Sequence, residues 1–200
     1  VTLQVDLGGG SYITNSLAID LNIHDSNSYP GNGNAIYDIS GNALHSTIVG
    51  GVNYTNNQIV LDGNNNYIQT PRIPGTGISS QSLSIELVVT PNSTSGNVLM
   101  MASLLTGSMG WNMPPIASAN SKFYAKFLIS ISNPNALEYS YNVGQKYHLV
   151  LIWDHINNKQ QFYVDGQLVA EESNTTYSSS GVNNYIFLGK ENPGCCDTFD

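Results

Sequence analysis

Residues Tyr147 to Ala170 read YHLVLIWDHINNKQQFYVDGQLVA, and their spacing predicts three consecutive antiparallel strands. In the first, Leu149, Leu151 and Trp153 fall on one side of an extended segment, and Val150 and Ile152 on the other. A strand apolar on both faces is expected between two layers, since neither face suits water. The polar run His155 to Lys159 turns the chain, and Gln160 to Val164 returns it with Phe162 and Val164 alternating against Gln161 and Tyr163. Asp165-Gly166 suits a two-residue hairpin turn, whose central residues both need positive φ. Gln167 to Ala170 then forms the third strand. No helical period competes with this meander.

Working outward, the same alternation recurs. Val1, Leu3, Val5 and Leu7 mark a strand that Gly8-Gly9-Gly10 ends and could hinge. Leu17, Ile19, Leu21 and Ile23 predict a second strand buried on one face. Asp25 to Gly51 is mostly turns, among them an Asx-type turn at Asp38-Ile39-Ser40-Gly41-Asn42, where short side chains satisfy nearby backbone N–H groups. Short strands are expected at Ser46 to Val49 and Gln58 to Leu61, with Asp62-Gly63 turning the chain and Asn66 to Thr70 returning it. Leu83, Ile85, Leu87 and Val89 form a clean strand stopped by Pro91, with Asn97 to Ser103 as its partner. Gly107 to Ser121, holding Trp111 and Pro114-Pro115, reads as irregular. Phe123, Ala125, Phe127, Ile129 and Ile131 give the longest alternating strand, paired with Leu137 to Tyr141. After the meander come a loop rich in Ser and Thr, Ser173 to Asn184, and a last strand, Tyr185 to Leu188. Many short strands with regular turns and no amphipathic helix predict an all-β, two-sheet antiparallel sandwich.

Composition narrows the function classes. Charged residues make up 10% of the 200, and 25 asparagines carry much of the polarity. The net charge of −8 disfavours nucleic acid and anionic membrane as partners. No run approaches the ~20 apolar residues of a membrane span, so membrane insertion is not expected. No signal peptide is legible at Val1 to Gly10, and the chain reads as a mature product or a segment of something longer. Abundant neutral polar and turn residues suit an extracellular, cell-surface or virion-surface protein.

The order of motifs carries a resemblance. Asn15-Ser16-Leu17-Ala18-Ile19-Asp20-Leu21 precedes Asn27-Ser28-Tyr29-Pro30-Gly31, then Tyr37-Asp38-Ile39-Ser40-Gly41-Asn42 with His45. Leu61-Asp62-Gly63 with Tyr67-Ile68, Leu83-Ser84-Ile85-Glu86-Leu87-Val88, and Trp153-Asp154 with Phe162-Tyr163-Val164-Asp165-Gly166 follow. In this order they resemble the laminin-G-like jelly roll of the concanavalin A-like lectin/glucanase superfamily, nearest to the version in phage and viral structural proteins and bacterial surface proteins. The resemblance covers residues 15–200 and leaves 1–14 as an N-terminal strand or extension. It departs from the pattern at Asn22 and His24, where an Asp and a Gly are usual. It also implies a terminal strand after the residues matching Phe199-Asp200, so the sheet is expected to lack one. Val1 to Leu7, a neighbouring subunit or further residues would fill that gap, because proteins avoid bare strand edges beside an apolar core.

Members of such a superfamily serve in glycan binding, adhesion or particle assembly more often than in catalysis. A glucanase would carry paired carboxylates on one strand face, ~5–5.5 Å apart for a retaining mechanism. Glu86 has no such partner at i+2 or i+4, so no catalytic residue is expected. His24, His45, His148 and His155 lack zinc spacing. Asp38 and Asn42, with Ser40, Asp25 or Asp197, are weak calcium candidates against the Asx-turn reading, and no other cofactor is implied. Asn53, Asn92 and Asn174 head N-glycosylation triplets, each expected in a loop. Cys195-Cys196 can form a strained ring, bond outside the chain or stay free, with oxidation favoured in an extracellular setting. Trp111, Tyr12, Tyr29, Tyr54, Tyr139, Tyr141, Tyr177 and Tyr185 are candidates for stacking on sugars or for packing. The first expectation is a structural subunit of an extracellular or virion appendage that assembles with copies of itself through sheet edges and loops. The alternative is a glycan-binding adhesion module of a larger secreted protein.

Overall fold

The computed structural model describes residues 2–4, 17–51, 53–61, 65–74, 82–102, 113–126, 137–173 and 183–189. In chain order the strands are β1 (Thr2–Gln4), β2 (Ala35–Ile36), β3 (Ser46–Val49), β4 (Asn53–Thr55), β5 (Gln58–Val60) and β6 (Tyr67–Gln69). There follow β7 (Ile73–Pro74), β8 (Leu83–Thr90), β9 (Gly96–Ala102), β10 (Met113–Ala119) and β11 (Lys122–Ala125). The last are β12 (Leu137–Ser140), β13 (Tyr147–Asp154), β14 (Lys159–Val164), β15 (Gln167–Ser173) and β16 (Asn183–Leu188). No helix occurs among the described residues, and none there is long and apolar enough to cross a membrane.

Two antiparallel sheets form the sandwich. One runs β15-β14-β13-β8-β1-β5-β4; the other runs β12-β11-β10-β9-β16-β6-β3-β2, with β7 paired to β16. The expected meander sits at one end of the first sheet. Leu149, Leu151 and Trp153 of β13 stand opposite Val164, Phe162 and Gln160 of β14, and Leu87, Ile85 and Leu83 of β8 on the other side. Leu149, Leu151, Trp153 and Phe162 are wholly buried in the main core with Ile59, Ile68, Ile116 and Phe123. Each such side chain contributes on the order of 1.5–3 kcal/mol by leaving water. The turn is as expected: Asp165 has φ 49° and Gly166 φ 78°. Val150 and Ile152, by contrast, are only half-buried, so β13 has one core face and one face toward the surface.

Four other expectations change. Residues 17–22 form no strand, although Leu21 and Ile23 are buried. Side chains take the place of a ladder there, as described below. β9 is not a partner of β8; it pairs with β10 and β16 in the opposite sheet. The link after β8 is pinned by the Ser121 N–H on the Thr94 carbonyl and the Gly144 N–H on the Pro91 carbonyl, which carries the chain across the sandwich. Part of the stretch read as irregular is β10, and Pro114-Pro115 fall where its register against β9 shifts between Met113 and Ile116. A break in the ladder is where residues lacking an N–H are tolerated. Asn53 lies on β4, an edge strand, and not in a loop. β12 does pair with β11, as expected, while Phe127, Ile129 and Ile131 lie outside the described residues.

The N-terminal segment occupies an interior position. β1 is hydrogen-bonded to β8 on one side and to β5 on the other, inside the first sheet, while the end of the chain where a missing terminal strand was expected lies outside the described residues.

Candidate functional site

At one rim of the sandwich, residues 17–45 are held by polar side chains acting on the backbone. Asp38 is the hub. Its Oδ1 accepts from the N–H of Asp20 (2.9 Å) and of Ser40 (2.9 Å), and its Oδ2 from the N–H of Leu44 (2.9 Å) and the Ser40 hydroxyl (2.9 Å). Burial raises the Asp38 carboxyl pKa, but the donated backbone bonds from Asp20, Leu44 and Ser40 outweigh it, and the net shift is downward. The Asn42 amide donates to the carbonyls of Leu17 (2.8 Å) and Ala18 (3.1 Å), and the Ser28 hydroxyl accepts from the Asn22 N–H while donating to the Tyr37 carbonyl. These bonds explain why 17–22 can pack against the sandwich without ladder partners.

Asp20 is the cost of this arrangement. Its side chain is buried, and Oδ1 has no hydrogen-bond donor among the described residues. Burial raises its pKa, and the charges of Asp38, Asp25 and Glu86 raise it further.

Pulling Asp38 inward turns its neighbours outward. Tyr37 is 45% exposed and Ile39 37%, on either side of a buried carboxylate. The His45 ring stands edge-on to Tyr37, with centroids 5.3 Å apart and planes at 75°. His45 Nδ1 accepts the Asp38 N–H at 3.0 Å, which leaves the neutral ring's proton on Nε2 and fixes its orientation. The result is an exposed phenol with an imidazole donor beside it, and Ile39 exposed two residues further along the chain. Such a patch can stack on an apolar sugar face and hydrogen-bond a hydroxyl.

Tyr37 was not among the sequence candidates for stacking. The signal that could have found it is the Asx turn itself: an acid that caps backbone N–H groups points inward and forces the apolar residues beside it out. The candidate tyrosines among the described residues pack against neighbouring side chains. Tyr29 and Tyr141 are buried, Tyr29 meets Tyr54 edge-on at 5.2 Å, and Tyr139 packs against the core. Tyr185 lies under the Arg72 guanidinium, 5.7 Å from its ring centroid. Trp111, Tyr12 and Tyr177 lie outside the described residues, as do Asn174, Asp197, Cys195 and Cys196.

The other candidates are dispersed. Glu86 Oε1 meets His148 Nε2 at 2.7 Å on the surface face of the first sheet, with both side chains partly exposed. Glu86 stands in register with Val150. His155 donates its backbone N–H to Ser82, far in the chain from His45. Among the described residues no three His, Cys, Asp or Glu side chains gather to hold a metal ion, and the oxygens of Asp38 serve the backbone. Asp25 accepts from the backbone and side chain of Asn27. Asn53 and Asn92 are both exposed.

Solved structures share the fold. HCR/D, as a mutant, aligns with a TM-score of 0.62 at 14% identity over 88% of this chain and 43% of its own. The binding domain of botulinum neurotoxin DC in complex with SialylT aligns at 0.54 and 12% identity over 90% of this chain and 49% of its own. The binding domain of botulinum neurotoxin serotype D aligns at 0.53 and 13% identity over 80% of this chain and 47% of its own. This chain therefore spans less than half the length of each. No curated protein matches the sequence. A family model for laminin G-type domains, described as the concanavalin A-like lectin/glucanases superfamily, matches residues 62–200. With that match over most of the chain, and a two-sheet antiparallel sandwich beneath it, the protein belongs to the concanavalin A-like lectin/glucanases superfamily.

Proposed function

We propose that this chain is a non-catalytic glycan-binding module of an extracellular or surface protein, and that Tyr37, Ile39 and His45 form its contact patch. The observation that carries the reading is the exposed Tyr37 ring, braced edge-on by an imidazole whose own orientation is fixed by the Asp38 N–H. A preset aromatic face costs little to order on binding, which is what weak, specific sugar recognition needs. A domain of this fold in complex with SialylT gives support from outside the chain and favours this reading over the structural-subunit one. Assembly through sheet edges is the second reading, with β4, β15, β2 and β12 as the outermost described strands. The reading needs no metal at Asp38 or Asn42, and the pairing of Glu86 with a histidine suits a surface ion pair better than an acid/base couple.

A glycan array that includes SialylT and neutral oligosaccharides, followed by titration calorimetry, tests the proposal. Binding is expected, and Tyr37→Ala should weaken it about tenfold with the circular dichroism spectrum unchanged. An array without signal would remove the reading, and a Tyr37→Ala chain that binds as before would move the site elsewhere. Turnover of a bound glycan that disappears in Glu86→Gln would overturn the non-catalytic part.

A further inference from the structure

The first sheet is made of two blocks. β8, β13, β14 and β15 form one, and the β4–β5 hairpin forms the other. Within this layer β1 is the strand bonded to both. Thr2, Leu3 and Gln4 stand in register with Thr90, Val89 and Val88, and Thr2 and Leu3 with Val60 and Ile59. Because β1 is antiparallel to each neighbour, β8 and β5 run parallel to one another and leave a slot one strand wide, about 9.5 Å from axis to axis. Val89 and Ile59, on its two walls, are wholly buried in the core. An empty slot would present two rows of backbone donors and acceptors above that core.

We propose that this slot is a strand-acceptor site, and that β1 from a second copy of the chain enters it in the same register. The demand of the slot is narrow: a short strand antiparallel to both walls, with a residue pairing Val89 and Ile59. Every copy carries one, in Val1-Thr2-Leu3-Gln4-Val5, followed by Gly8-Gly9-Gly10. Among the described residues, Thr2 to Gln4 pair within the slot. Exchange between copies restores the same bonds, and concentration and linker geometry then set the balance between the closed and exchanged forms. This site is independent of the glycan patch on the rim.

The test uses full-length chains carrying Cys195→Ser and Cys196→Ser, so that native thiols cannot interfere. One chain adds Leu3→Cys, another adds Val89→Cys, and the two are mixed and oxidised. A disulfide-linked heterodimer on a non-reducing gel is expected, and an excess of free Val1–Leu7 peptide should lower its yield about tenfold. The chain bearing both substitutions reports the closed form by linking within itself. Internal linking without any heterodimer, at every concentration tried, would overturn the proposal. So would a heterodimer that the peptide leaves unchanged, or failure of both pairs to link. If Val89→Cys does not fold, Thr2→Cys with Val60→Cys poses the same question from the other wall.

Discussion

The meander of β13, β14 and β15 and the rim of residues 17–45 are ordered by opposite means. In the meander, backbone groups pair with backbone groups, and β13 and β14 bury every second side chain. In the rim, backbone groups pair with Asp38, Asn42 and Ser28, and a few polar atoms fix the path. The difference teaches where recognition can reside. A ladder needs its apolar residues inside, whereas a polar hub can be buried and leave an aromatic ring outside.

Substitutions can break or sharpen this contrast. The largest effect is expected in the meander: Trp153→Ala removes a wholly buried side chain and should cost about 4 kcal/mol in denaturant unfolding followed by far-ultraviolet circular dichroism. Asp38→Ala comes next, at about 3 kcal/mol, because the N–H groups of Asp20, Ser40 and Leu44 lose their acceptor. Hydrogen exchange should separate the two regions here, with those three amides accelerating while the amides of β13 and β14 stay protected. Gly166→Ala, at φ 78° in the hairpin turn, should cost about 1 kcal/mol by the same unfolding measurement.

The smallest effect, in magnitude, is a matter of sign. Asp20 has a raised pKa, so the folded state binds its proton more readily than the unfolded chain does. Its carboxylate therefore opposes folding at neutral pH, and that opposition fades as pH falls through the raised value toward 3.8. Asp20→Asn should accordingly melt higher than the parent at pH 7, with the difference vanishing near pH 4. Asp38 runs the other way: its contribution is present above 3.8 and is lost as pH falls through its lowered value. A melting difference for Asp20→Asn that grew on acidification would reverse the assignment of strain to Asp20.

The contrast also explains what the sequence made legible. Alternation revealed β8, β13 and β14, since burial on one face writes a period of two into Leu149, Leu151 and Trp153. The same rule misread Leu17 to Ile23, where Leu21 and Ile23 are buried in the core while side chains, unseen by periodicity, bond the backbone. It could not show that β9 crosses to the other sheet, because a strand's pattern reports its faces and not its neighbours. The Asx turn was legible at Asp38, but its consequence for Tyr37 was not, because an inward acid between outward apolar residues inverts the usual rule. The superfamily could be read from the order of motifs, and the exposed patch at Tyr37 and His45 could not.

The place of β1 also sets how far apart in sequence its partners lie. Pairing residues 2–4 with positions 60 and 90 closes loops of roughly sixty and ninety residues. Long-range pairings of this kind form slowly. The segment that joins the two blocks of the first sheet thus lies at the opposite end of the chain from the meander, and its contacts are among the most distant in sequence.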